Sequence, residues 1–359
     1  MTSQGMSSAQ RIEKAVIRQQ PDCVPVAPYM GNFGARLAGI PIDAYCRSAK
    51  LMADAQYRAW QLCGQDVLVA QSDNYYIAEG FGLEVDHHPN GTPTPRRPLI
   101  EKLTDILYLT VPDPRADGRM PVYLEAIERL AEMVEGEAII RAPGTGPLSL
   151  AGHLLGTQNF LTRLGLLEIE PDQDTEKALV DLLQLTTEAL IRFALACLDA
   201  RARIVQAGDS LASSDMISPT MYRKWAFPFE RQFFSAIKTR CVEGNGFPLL
   251  HICGDNSRIL RDMADTGAMI VEIDSKVKLD LAKHEIGDRV CLMGNLDPTT
   301  VLLQGTTALV ETAARQAISD AGGGGGFILG SGCEVPPDAP LENLKTMVRV
   351  ARQTAYSVE

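Results

Sequence analysis

The sequence predicts a single (β/α)8 barrel, and three observations carry that prediction. The chain has 359 residues, a length that suits one large α/β barrel or two smaller domains. Eight short apolar or β-branched runs recur along it, at 24–28, 67–71, 138–142, 204–207, 247–252, 269–273, 290–293 and 327–330. Most are apolar nearly throughout, as strands buried on both faces must be. Helical periodicity fills the gaps, and strands alternating with helices specify a parallel sheet.

The elements follow in order. Residues 1–20 form an N-terminal extension with a helix ahead of the first strand. A helix is expected over 42–62, just after Pro41. Another spans 174–201, amphipathic through Leu179, Leu182, Leu183, Leu190 and Phe193. The stretch 218–238 opens with Ser218-Pro219, an N-cap followed by proline at the first helical position. Further helices are expected over 256–266, 279–287, 306–321 and 339–356. The segment 74–120 breaks the rhythm. It holds many prolines and Asn90-Gly91, a strong turn dipeptide, so it is an insertion after the second strand, a hairpin near the barrel mouth. The five glycines at 322–326 lack the lysine and hydroxyl residue of a phosphate loop. They precede the last strand and serve as a helix-to-strand connection. One domain thus covers 1–359.

Composition narrows the function. Hydrophobic residues are 45% and charged residues 22%, enough apolar material for a core and incompatible with disorder. The 45 acidic against 34 basic residues give a net charge of -11, which argues against a nucleic-acid partner. No basic start with an apolar run opens the chain, and no run of eighteen apolar residues occurs. The expectation is a cytoplasmic protein with no membrane partner. In a reducing compartment the eight cysteines are thiols, metal ligands or core fillers rather than disulfides.

A barrel carries its reactive residues just after the strands, at one face. At those places stand Met30 and Asn32, Asp73 and Tyr75, Asp209, His251 and Cys253, Asp274, Asn295, and Cys333. His251 and Cys253 are one residue apart, so in an extended segment they point the same way. Cys333 follows the last strand and meets them at the mouth of a closed barrel. One imidazole and two thiolates suit zinc. Spacing alone leaves the alternative open, a core histidine with two small buried cysteines.

Longer motifs decide between these. They are Gln71-Ser72-Asp73, Gly294-Asn295-Leu296-Asp297-Pro298, and Gly332-Cys333-Glu334-Val335-Pro336-Pro337 with Pro340-Leu341-Glu342-Asn343-Leu344. Through them most of the chain resembles the uroporphyrinogen decarboxylase superfamily, whose fold is a (β/α)8 barrel. It departs from the true decarboxylases. Their Met-Arg-Gln-Ala-Gly-Arg is replaced by Met30-Gly31-Asn32-Phe33-Gly34-Ala35-Arg36, and their Gly-His-Gly-Ile by Gly330-Ser331-Gly332-Cys333. The porphyrinogen-binding arginines and the late histidine are therefore missing.

His251-x-Cys253 with Cys333 resembles the zinc signature of the superfamily's corrinoid-dependent methyltransferases, the methylcobamide:coenzyme M methyltransferases among them. The resemblance implies zinc on His251, Cys253 and Cys333, with a carboxylate after the sixth strand as a further ligand. Asp274 occupies that place, with Glu272 as the alternative. It implies methyl transfer between a corrinoid (methylcobalamin) and a thiol such as coenzyme M. A free thiol has a pKa of about 8.5, and zinc deprotonates it to the nucleophilic form. The chain has no Asp-x-His-x-x-Gly corrinoid motif, so the corrinoid is expected on a partner protein. Asp73 and Asn32 are the expected catalytic helpers. Met30, Tyr75, Asp209 and Asn295 are expected to contact substrate. Three alternatives stand beside this reading. One is a donor-side methyltransferase that loads the corrinoid protein from a small methylated substrate. The others are a decarboxylase and an inactive ligand-binding barrel.

Overall fold

The structure, a computed structural model, describes residues 5–244 and 246–354. Among the described residues nine strands form in chain order: β1 (Val67–Val69), β2 (Val85–His88), β3 (Gly91–Pro95), β4 (Ile139–Arg141), β5 (Ile204–Gly208), β6 (Phe247–His251), β7 (Ile270–Glu272), β8 (Cys291–Leu296) and β9 (Phe327–Ser331). Seven of them make one parallel sheet in the order β1-β4-β5-β6-β7-β8-β9, with helices between successive strands. This is the expected α/β barrel.

The first expected strand closes the ring in reduced form. Only Val26 forms a bridge, to Leu329 of β9. On one side Ala27 N donates to Leu329 O at 2.8 Å and Leu329 N to Pro25 O at 2.9 Å; on the other Asp66 N donates to Val26 O at 2.8 Å. Pro25 and Pro28 bring no N–H to a ladder, and the Val26 N–H goes to Asp66 Oδ2 at 2.8 Å. Residues 24–28 therefore lie as a strand would, without a strand's full ladder.

Side-chain alternation divides the barrel interior into a floor and a mouth. Val67, Ile139, Ile204, Phe247, Ile270 and Cys291 pack together with Leu249, Met293 and Ile328. The helix Ser8–Val16 plugs this floor with Ile12, Ala15 and Val16. Its start is fixed by a capping box between Ser7 and Gln10. Two or four residues further along the same inward faces come Arg141, Gln206, His251 and Glu272. An apolar floor thus sits beneath a polar mouth.

Several helices differ from expectation. The stretch 42–62 splits into Ile42–Tyr45 and Ala49–Cys63, because Ser48 accepts from Leu51 N and starts a new helix. The stretch 218–238 becomes Pro219–Trp225 and Phe227–Glu243, since Pro228 has no N–H to continue the first. The stretch 256–266 shortens to Leu260–Asp265. Gln173–Asp199, Leu279–Ile286, Thr307–Ala321 and Leu341–Gln353 fall close to expectation; the end of the last predicted helix lies outside the described residues. Gly31–Ala38, Met120–Met133, Pro147–Leu155 and Thr157–Leu167 were not anticipated, and glycine or proline interrupts or opens all four of them. The insertion does contain a hairpin, β2 with β3, turning through Asn90-Gly91. The glycines at 322–326 do join a helix to β9. No helix among the described residues is long and apolar enough to cross a membrane.

Candidate metal centre

His251 ends β6 and Cys253 follows two residues later. His251 Nε2 lies 3.2 Å from Cys253 Sγ, and Cys253 Sγ lies 3.8 Å from Cys333 Sγ, just past β9. The three ligand atoms fall within 4.8 Å of one another, and among the described residues no other such group forms. Cys23, Cys46, Cys63, Cys197, Cys241 and Cys291 are buried thiols elsewhere.

The loop after β6 is braced for this geometry. Gly254 has φ +89°, a conformation that a β-carbon disfavours. Asn256 Nδ2 donates to Ile252 O at 2.7 Å and to the carbonyls of Cys253 and Gly254 at 3.2 Å. Asp274 Oδ2 accepts from Gly254 N at 2.9 Å, and its Oδ1 accepts from Lys276 N at 2.9 Å. The structure therefore does not bring Asp274 into the cluster. β7 ends at Glu272, and the chain then turns, with Val277 N donating to Asp274 O at 3.0 Å. Strand alternation no longer applies past that point, and the Asp274 carboxylate holds the cysteine loop instead.

Glu272 reaches the cluster. Its Oε2 lies 3.2 Å from His251 Nδ1. The two atoms are not aligned for a hydrogen bond, and Nδ1 is left without one; the contact is electrostatic. Arg141 grips both Glu272 oxygens at 2.7 Å. Its Nε donates to Gln206 Oε1 at 2.7 Å, its Nη2 donates to the same oxygen, and Tyr29 covers its face at 4.3 Å. Burial would raise the Glu272 carboxyl, but the Arg141 charge outweighs it and holds the group below its ordinary value.

Charge is shared within the cluster. The hydrogen bond from Cys333 and the His251 charge hold Cys253 well below an ordinary thiol. That same bond and burial push Cys333 up. Burial alone would lower His251, yet the Cys253 charge raises it to about 9. One thiolate faces one imidazolium, beside a second thiol. This donor set could hold a soft divalent cation on exchange of protons.

The cluster opens into a cavity of about 300 Å³, lined also by Tyr29, Tyr75, Arg141, His153, Gln206 and Glu334. Burial pulls His153 down to about 4, leaving it neutral at pH 7. Its ring stacks on Tyr75 with centroids 4.6 Å apart. Burial pushes Glu334 up to about 7.

The remaining sequence candidates are placed as follows. Asp73 borders the cavity, but its carboxylate is occupied. Arg119 donates to it at 2.7 and 2.9 Å, Tyr123 OH at 3.1 Å and Tyr75 N at 2.9 Å. Asn32 exchanges hydrogen bonds with Ser72, and its N–H donates to Glu334 Oε1 at 2.9 Å. It ties three strand ends together and does not face the cavity. Met30 is core, 1% exposed. Asp209 is fully buried and accepts from Leu148 N at 3.0 Å and Ser149 N at 2.7 Å, capping the helix Pro147–Leu155. Asn295 donates to Asp274 O and Val277 O and borders a separate surface groove beside Lys276. Of the four expected substrate contacts only Tyr75 lines the cavity. Arg141, Gln206, His153 and Glu334 were missed. A lone arginine inside the apolar run 138–142 was the available signal for the first.

Fold and cluster together define a barrel of one known class. A family model described as Uroporphyrinogen decarboxylase (URO-D) matches residues 7–354, and the chain belongs to that family. A methylated-thiol–coenzyme M methyltransferase of Methanosarcina mazei is 28% identical over 97% of this chain and 90% of its own. The methylcobamide:CoM methyltransferase MtaA of Methanosarcina barkeri is 33% identical over 67% of this chain and 65% of its own. A solved structure, a methyltransferase from Methanosarcina mazei, superposes with a TM-score of 0.84 at 27% identity, covering 96% of this chain and 98% of that one.

Proposed function

We propose that this chain is a zinc-dependent methyltransferase that moves a methyl group between a corrinoid on a partner protein and the sulfur of a small thiol. The observation that carries the proposal is the convergence of His251, Cys253 and Cys333. Around tetrahedral zinc the sulfur–sulfur edge is about 3.8 Å and the sulfur–nitrogen edge about 3.6 Å, from bonds of about 2.3 and 2.0–2.1 Å. The cluster has 3.8 and 3.2 Å, so the donors fit with a small opening of the second edge. Three protein ligands leave one position free, the pattern of a catalytic rather than a structural zinc.

When bound, zinc would keep a substrate sulfur deprotonated at neutral pH. The chain's own residues do the rest. His251 Nε2 and the two sulfurs would hold the ion, and Glu272 beside Nδ1 would orient the ring. Arg141 and Gln206 fix Glu272 in turn. With zinc bound, the two cysteine sulfurs would offset the cation's charge and so leave a substrate sulfur nucleophilic. Tyr29, Tyr75 and His153 supply aromatic lining to the cavity. A volume of about 300 Å³ is the low end for ligand sites. It suits a small substrate rather than a tetrapyrrole, which disfavours the decarboxylase reading. The hairpin β2–β3, which sends Thr92 to the cavity, gives a corrinoid protein a surface to dock against.

The donor-side direction, in which a methylated thiol loads the corrinoid, uses the same atoms. The Methanosarcina mazei relative, a methylated-thiol–coenzyme M methyltransferase, supports it. Metal analysis of the purified chain tests the zinc. Methylcobalamin with a thiol panel tests the transfer through the appearance of cob(I)alamin absorbance. Metal-free protein that gains nothing from added zinc would end the proposal.

A further inference from the structure

One wall of the cavity carries polar atoms that the protein leaves unused. Gln71 stands just past β1, is 3% exposed, and lines the cavity. Its Nε2 donates to Asp73 O at 2.9 Å and to Asn74 Oδ1 at 3.0 Å. A backbone carbonyl only accepts, so the Asp73 contact fixes which end of the amide is nitrogen. The other end, Oε1, is enclosed and has no donor among the described residues. His153 lines the same cavity from the helix Pro147–Leu155, which follows β4. Its Nδ1 is likewise enclosed without a partner. Buried polar atoms are nearly always paired, so two orphans on one wall call for a ligand that completes them.

Their place in the ring suits the far end of a substrate. With residues 24–28 between β9 and β1, the ring runs β1-β4-β5-β6-β7-β8-β9 and closes. His251, Cys253 and Cys333 stand at the ends of β6 and β9. Gln71 and His153 follow β1 and β4, on the opposite side. A thiol with its sulfur at the cluster therefore directs its tail towards them. Gln71 Oε1 can only accept, so the tail has to bring an O–H or N–H. The His153 ring is neutral at pH 7 and has one N–H and one lone pair, so a hydroxyl or an amide can meet it too.

We propose that Gln71 and His153 read the tail of the substrate thiol, and that this tail ends in a hydroxyl or amide whose hydrogen Gln71 Oε1 accepts. This rests on the thiol reading above and deepens it. A site built around a substrate O–H or N–H discriminates against the analogue that lacks it, because its own polar atom is then left unpaired.

The test is calorimetric titration of the zinc-loaded protein with 2-mercaptoethanol and 1-propanethiol, which differ only in a terminal hydroxyl against a methyl group. Affinities are compared after correction for each thiol's own ionisation. The hydroxyl thiol is expected to bind at least about five-fold more tightly, the low end of what an unpaired buried acceptor costs. Gln71→Met is expected to remove most of that preference with zinc content unchanged. His153→Phe, which keeps an aromatic ring beside Tyr75, is expected to reduce it. Equal binding of the two thiols by the parent protein, or tighter binding of 1-propanethiol, overturns the inference and leaves the thiol reading standing. Binding of neither overturns both. A preference that persists in full in folded Gln71→Met and His153→Phe overturns the assignment of these residues to the tail. The parent comparison decides even where a variant fails to fold.

Discussion

Glu272 and His251 face each other on adjacent strands, paired in register across β7 and β6, with Glu272 Oε2 3.2 Å from His251 Nδ1. A carboxylate on one imidazole nitrogen turns the other nitrogen towards the cysteines. Replacing such a partner typically lowers metal affinity by about 10–100-fold. Glu272→Gln is expected to do this, read by competition with a chelator. It should also destabilise the fold by about 3–5 kcal/mol, because Arg141 loses the partner that neutralises it. Unchanged zinc affinity in a folded variant would remove Glu272 from the metal centre.

Cys333 and Cys63 make a matched pair of tests. Cys333→Ser should reduce bound zinc from about one equivalent to under half, since a serine hydroxyl is a poor replacement for a thiolate. Cys63→Ser, at a helix end far along the chain, should retain zinc. Equal metal content in the two variants contradicts the assigned ligands.

Asp73 and Arg119 form a buried ion pair with side chains 1% and 8% exposed. Asp73→Asn leaves Arg119 with Glu79 alone. Urea unfolding should show a loss of about 3 kcal/mol, with zinc content unaltered. Should Asp73 act chemically instead, the variant will unfold normally and lose turnover.

Asp209 gives a pH-dependent signature. Burial raises its folded value to about 6 from 3.8, so the native state binds the extra proton within that interval. The contribution of Asp209 to stability is greatest below pH 3.8 and is lost as pH rises to about 6. Asp209→Asn lacks this loss. The stability of the variant relative to the parent should therefore climb by about 3 kcal/mol from pH 4 to pH 7. Thermal unfolding at several pH values reads the slope, and a slope of opposite sign refutes the assignment.

The sequence made the barrel legible because parallel strands buried on both faces leave continuous apolar runs. Seven of the eight runs became strands of one sheet. The exception, 24–28, is the one with two prolines. His251 and Cys253 were legible because a two-residue spacing needs only local extension. Asp274 was expected as a ligand from the resemblance alone, and its carboxylate instead accepts from Gly254 N and Lys276 N, past the end of β7 where the backbone already turns. Asp209 and Asn295 stand at strand ends as substrate contacts would, but their partners are backbone groups from distant segments. No local pattern announces those.

By itself, then, the chain determined the eight-unit barrel, the insertion with its hairpin, and the identity of one imidazole and two thiols at strand ends. These follow from periodicity and spacing, which are local properties. Only the tertiary structure brought Cys333 within 3.8 Å of Cys253, set Glu272 against His251 and Asp274 against the Gly254 N–H, and tied up Arg141. Those outcomes depend on which strand lies beside which and where each one stops. Neighbours in space, some 80 to 130 residues apart in the chain, fix the charge each group meets and so the chemistry it can do.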